Sequence, residues 1–460
     1  MKLLKNDIMR GGGANMKHSS LQLLTVFSAF MVSMGVNAAL PVIEQSSVDF
    51  RQVNAKATIS YELKNAPAIV TVDIETNTLA DASGEWVSIG GENLQTLSGD
   101  VHKVIRAGTR KITWQSRAEW PEKSIPAGQI RAVVTAWPTN APPDYLVIGL
   151  ETKKDVRLYA KPDFVPYGIN SDYYKTNAIL MRKIPAAGVV WRMGSPEDEC
   201  PDGRSSIEVP HLVMLTADYY MGVYELTQGQ AKKFYGGADE VYTSHEDSPM
   251  RPAQKLTFLR LRGCKYENED DRKYAWPQSG HTNVLSTSVI GKIRNFSGLS
   301  TIDLPTEAQW EFACRAGTTT AFSNGGGAQT QDECVNSMSG IGWHTWNSSV
   351  GGVKQAHVVG EKSHNAFGLY DMHGNISEMC LDRGSGTIDR MISFLTPDYL
   401  FGGVTVDPIG PEDEGIVTLK GGHYEASFYN CRSSARTIEK RTRDAQDYYG
   451  CRLCAPAIFK

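Results

Sequence analysis

Residues 304–317 read Leu-Pro-Thr-Glu-Ala-Gln-Trp-Glu-Phe-Ala-Cys-Arg-Ala-Gly, and this stretch decides the architecture of the larger part of the chain. Thr306 stands three residues before Gln309, the spacing of a capping box, in which both side chains cap exposed backbone N–H groups. The helix that starts there carries Trp310, Phe312, Ala313 and Cys314, so it is short and partly apolar. Thr227 and Gln230 repeat the arrangement upstream. Around these two helices the sequence is rich in Gly, Trp and Cys and holds few long periodic segments. The expectation is an irregular α+β domain with many loops between short elements.

Towards the N-terminus the pattern changes to all-β. Ala57, Ile59, Tyr61 and Leu63 alternate with polar neighbours, as a half-buried strand requires. Val70, Val72 and Ile74 repeat this, with Thr71 and Asp73 expected on the outer face. Further strands are expected near Lys111–Gln115, Ile130–Trp137 and Tyr145–Leu150, separated by Gly- and Pro-rich turns. About seven short strands at this spacing suit a β-sandwich of immunoglobulin or fibronectin type. It holds no clustered His, Asp or Glu that would suggest chemistry. A Lys- and Pro-marked stretch then reads as a linker.

The first forty residues look like a secretory signal. Lys17 and His18 precede an apolar run from Leu21 to Val36, and Val36-Asn37-Ala38 supplies small residues at a cleavage point. Met16 sits where such signals start, so residues 1–15 read as upstream of the natural start. The run is short for a membrane span, for which about 20 residues are needed. An uncleaved anchor is the alternative. The expected organisation is thus multidomain: a signal at 1–38, a sandwich at 39–151, a linker at 152–174 and the α+β domain at 175–455. Export places the protein in the periplasm, at the cell surface or outside the cell.

Net charge is −4, from 47 basic and 51 acidic residues, so no overall field draws the chain to nucleic acid. All 8 cysteines lie at or after residue 200. An even number in an exported chain permits disulfides, whose pairing the sequence leaves open. Cys451 and Cys454 form a C-x-x-C, but no second pair accompanies it, which argues against zinc.

Five ordered stretches carry a family resemblance. They are Ile184-Pro-Ala-Ala-Gly188 to Glu199, Tyr220–Thr227 with Gln230, Leu304–Gly317, Asn365–Asn375 with Glu378, and Lys420-Gly-Gly422 with Cys431–Arg436 and Gly450–Leu453. Together they resemble the formylglycine-generating (sulfatase-modifying factor) family, whose fold is a variant of the C-type lectin fold. Ser377 and Met379 stand where that family usually has tryptophans. His423 replaces a serine, and Cys451 replaces an aromatic.

The resemblance implies copper oxidation of a substrate cysteine by two enzyme cysteines five positions apart, since paired soft thiolates hold Cu(I). Cys431 lies in about the right region, but the flanking positions are Arg436 and Ala426. Cys431 is therefore the only catalytic candidate, Arg436 replaces the second cysteine, and copper is not expected. A thiolate at Cys431 could still be made reactive by Arg432. The related sulfoxide synthases use iron held by histidines, but His344, His357, His364 and His373 match no short metal motif.

The resemblance also implies calcium, with carboxylates from Asp371 and Glu378 and carbonyls from Gly374 and Ile376. Tyr424, Phe428, Tyr429 and Arg432 are candidate ligand-surface residues, aromatic and Arg side chains being favoured in recognition. These readings rank a non-catalytic binding protein for a protein or glycan ligand first. The alternatives are a formylglycine-generating oxidase acting on Cys-x-Pro-x-Arg, and a structural envelope protein.

Overall fold

The computed structural model describes residues 39–79, 81, 83–121, 123–126, 128–235, 248–263, 284–383, 400–401, 403–409, 417–439 and 446–459. Residues 1–38, read above as a signal, and Cys264 lie outside the described residues. From Pro41 onward the chain forms one contact unit. Among the described residues no helix is long and apolar enough to cross a membrane.

Residues 42–138 build two antiparallel sheets around one core. The first holds the strands Val42–Ile43, Asp49–Val53, Lys56–Lys64, Ser98–Gly99 and Gly108–Trp114; the second holds Ala68–Asn77, Trp86–Ser88, Val104–Ile105 and Ile130–Pro138. Ala57, Ile59, Tyr61 and Leu63 point inward as their alternation requires, and meet Val70, Val72 and Ile74 across the core. Thr71 and Asp73, expected on an outer solvated face, are instead buried, with exposures of 8% and 7%. The reason is that the segment 158–164 covers that face.

The boundary between the two parts also differs from expectation. The strand Tyr145–Gly149, read above as the last of the sandwich, pairs with Val156–Tyr159 on one side and Ala178–Ile184 on the other. The stretch read as a linker thus supplies a strand, Val156–Tyr159, and a short helix, Tyr173–Thr176. This five-stranded sheet continues through Tyr219–Gly222 to Cys454–Pro456 near the C-terminus. Its apolar residues do not alternate with polar ones because both faces are covered, so periodicity alone could not assign its sheet. Ile69 of the sandwich joins the same apolar cluster as Leu146, Leu158 and Tyr220.

Against this sheet lie short helices and further small sheets joined by loops. Both capping boxes form: Thr227 Oγ1 accepts from Gln230 N–H, and Thr306 Oγ1 accepts from Gln309 N–H, with each glutamine returning the bond. The helix Glu307–Arg315 places Trp310, Cys314 and Arg315 in the interior. The strand Ser377–Arg383 runs antiparallel to Val417–Lys420 and parallel to Tyr449–Gly450, bringing the late sequence motifs side by side.

Candidate functional site

The five sequence stretches meet through buried charge. Glu311, on the helix after the capping box, accepts from Gly194 N–H at 2.9 Å and from Arg315 at 2.8 Å. Its second oxygen accepts from Lys420 Nζ at 3.0 Å. Burial pushes this carboxyl up, but Lys420 and Arg315 outweigh burial and hold it down to about 2. Glu378 takes a two-oxygen contact from Arg452 and a 2.7 Å bond from Trp310 Nε1. Arg452 also donates to the carbonyls of Gly222, Val223 and Tyr370. Breaking one partner of such a pair strands a buried charge, which typically costs about 3–5 kcal/mol. These motif residues therefore hold the frame.

Cys431 has no exposed surface, and its Sγ lies 3.7 Å from the Ser427 carbonyl. Burial pushes the thiol up to about 12, so it is protonated at neutral pH. Burial outweighs the lowering that Arg432 exerts, and that guanidinium is shared with other partners. It lies 2.8 Å from both Glu199 and Glu208 and also donates to Ser434 Oγ. Arg436, at the position of the second cysteine, pairs with Glu307 at 2.7 Å.

Cys451 and Cys454 do not fold back to Cys431. The three belong to separate apolar clusters, and Cys454 Sγ turns to Gln309 Oε1 at 3.7 Å. The seven described cysteines are buried free thiols, so the expected cross-links are not formed among the described residues. The histidines are equally dispersed. His373 contacts the Cys431 carbonyl and Ser323, and His357 stacks on Trp343 at 3.6 Å. Burial pushes His344 and His373 down to about 4.

The proposed ligand surface is largely interior. Tyr424, Phe428 and Arg432 are buried and serve the core, which corrects their assignment as surface residues. Tyr429 remains half-buried, its ring 4.3 Å from Phe428. The exposed residue that the sequence reading missed is Trp346, 55% exposed, with its ring 5.1 Å from Phe428. Beside it the hairpin Ser349–Val350 and Val353–Lys354 returns to Thr345 through a Lys354 bond and exposes Val350 and Val353. An exposed Trp rooted on a buried ring is the kind of anchor recognition surfaces use.

Of the expected calcium ligands, Glu378 is committed to other partners. Arg452 and Trp310 engage it, and beside it Ile376, whose carbonyl was the expected ligand, donates its N–H to Glu225 at 3.1 Å. Among the described residues no group of three or more His, Cys, Asp or Glu side chains is placed to hold a metal ion. Asp371 accepts from Gly360 N–H through Oδ2, and its Oδ1 is buried without a hydrogen-bond partner. Burial, Asp371 and Glu378 push Glu225 well above the usual carboxylate range, and burial pushes Asp371 up to about 6. Arg452 neutralises Glu378, the third carboxylate of this interior group. The turn itself is set by backbone: Asp371 and Asn375 are left-handed, and a Cβ on Gly374 would lie 2.0 Å from the Trp343 carbonyl.

A curated relative, the chaperone protein LppX of Paenibacillus barcinonensis, is 26% identical over 36% of this chain. This chain spans 62% of that relative's length. Among solved structures, Treponema denticola variable protein 1 matches 60% of this chain and 95% of its own at 22% identity, with a TM-score of 0.42. PvdO from Pseudomonas aeruginosa matches 60% and 94% at 19% identity, with a TM-score of 0.43. The family model of the sulfatase-modifying factor enzyme 1-like domain matches residues 184–457, and the chain belongs to that family.

Proposed function

We propose that this chain is an exported, non-catalytic binding protein that uses the sulfatase-modifying factor frame to present a recognition surface. The state of Cys431 carries the reading. A buried, protonated thiol with Arg436 at the partner position cannot offer two thiolates to Cu(I). The recognition surface centres on Trp346 and Tyr429, with Val350 and Val353 beside them. The name of the Paenibacillus relative, a chaperone protein, supports a protein ligand over a glycan. The apolar run at Leu21–Val36 supports export, and the two-sheet N-terminal part acts as an immunoglobulin-type spacer.

A photo-cross-linking amino acid at position 346, introduced in the source cells, tests this. The reading expects one dominant adduct with an envelope or secreted protein, lost when Tyr429 is changed to Ala. Cross-linking only to solvent-exposed neighbours of the same chain would contradict it.

A further inference from the structure

The loop at 195–208 and the helix Gln331–Met338 are distant in sequence, and the fold brings one cysteine from each into a common interior. Cys200 and Cys334 belong to one buried apolar cluster together with Phe322, Met338 and Phe428, and neither has exposed surface. Local bonds fix both backbones. The Cys200 carbonyl accepts from Gly203 N–H at 3.1 Å and from Arg204 N–H at 2.9 Å, which closes a turn. Arg432 grips that turn on both sides, at Glu199 Oε1 (2.8 Å) and at the Gly203 carbonyl (3.5 Å). Cys334 donates its N–H to the Thr330 carbonyl at 3.1 Å, within the first turn of its helix. The two segments are tied to one another ahead of the cysteines, where Gln329 Nε2 donates to the Asp198 carbonyl.

Both thiols lie near Tyr429. A Cβ on Gly203 would stand 2.4 Å from that ring, and burial, Asp202, Cys200 and Cys334 together push its hydroxyl up. Burial and then Cys200 push the Cys334 thiol up to about 12. The other described cysteines face elsewhere. Cys431 shares the cluster, but its Sγ points to Gly422, where an added Cβ would lie 2.6 Å from it, and to the Ser427 carbonyl. Cys314 Sγ lies 3.6 Å from both the Met372 carbonyl and Ser433 Oγ, and Cys454 Sγ turns to Gln309. Cys380 and Cys451 sit in other clusters.

We propose that Cys200 and Cys334, free thiols in the form described above, close a disulfide when the chain folds in the presence of a disulfide oxidant. The two thiols give up two protons and two electrons as the S–S bond forms, and the oxidant, oxidised glutathione for example, is reduced to two thiols. Closure precedes burial of the cluster, because thiolate is the attacking species and the buried thiols are held protonated. The bond staples the loop that brings Glu199 and Glu208 to Arg432 onto the helix Gln331–Met338, beside Tyr429. In the cell it rests on export to an oxidising compartment. The test supplies the oxidant itself, so its failure is separate from a failure of the export reading.

The full chain is made by cell-free synthesis in a glutathione buffer, and the soluble folded fraction is alkylated, unfolded, digested without reductant and analysed by mass spectrometry. One dominant linked peptide pair carrying Cys200 and Cys334 is expected. Cys431→Ser should leave that pair in place, and Cys334→Ser should leave Cys200 as a free thiol. In the folded protein dithiothreitol should spare the bond until urea is added, since neither sulfur is open to attack. Cys200 and Cys334 both recovered as free thiols, or either one joined to another cysteine in the unmutated chain, would overturn the proposal.

Discussion

Arg452 lies 2.7 Å from Glu378, both carboxylate oxygens are engaged, and neither side chain reaches solvent. The pair joins the strand that follows the Asp371–Asn375 turn to the chain's last motif. Glu378→Ala or Arg452→Ala alone should each lower unfolding free energy by about 3–5 kcal/mol, because each leaves its partner buried and uncompensated. The double change Glu378→Leu with Arg452→Met should cost less than either single one. Urea denaturation midpoints check this.

Asp371 shapes the pH dependence. Its carboxyl stands at about 6 in the fold against 3.8 for the free group, so the folded chain holds the proton more tightly. Stability attributable to it is then present at low pH and lost as pH rises through that window. Asp371→Asn keeps an acceptor for Gly360 N–H and tolerates the left-handed backbone. It should stabilise by about 1–2 kcal/mol above pH 6 and leave stability unchanged below pH 4.

Calcium should have no effect on the thermal midpoint at neutral pH. Glu378 is tied to Arg452, so a cation at Asp371 would have to compete with a buried ion pair. A calcium-dependent rise in the midpoint, lost in Asp371→Asn and reversed by chelation, would show that the expected site forms after all.

Neighbouring aromatic residues should behave oppositely. Phe428→Ala empties a buried position and should cost about 3–5 kcal/mol. Tyr429→Ala, at the half-buried edge, should cost about 1 kcal/mol or less while weakening recognition. Thermal unfolding distinguishes them.

Much of the frame was legible in the residues. The alternation at Ala57–Leu63 and the two Thr-x-x-Gln boxes have short-range causes, and both appear as expected. The ordered motifs led to the family. What was hidden depends on distant partners. Arg432 reads as a surface cation until Glu199 and Glu208 are brought to it from more than 220 residues away. Tyr145–Gly149 reads as a sandwich strand because its sheet partner is chosen by the whole fold. Asp73 reads as a solvated strand residue, and only the covering segment at 158–164 buries it. Trp346 sits in no periodic segment, so nothing local marked it as exposed.

The central claim is that the frame is kept without the oxidase chemistry. Mass spectrometry of a Cys-x-Pro-x-Arg peptide, incubated with the protein, Cu(I), oxygen and a reductant, tests it most directly. The account predicts an unchanged peptide beside a working family enzyme as control. Conversion of the cysteine to the aldehyde, abolished by Cys431→Ser, would contradict it.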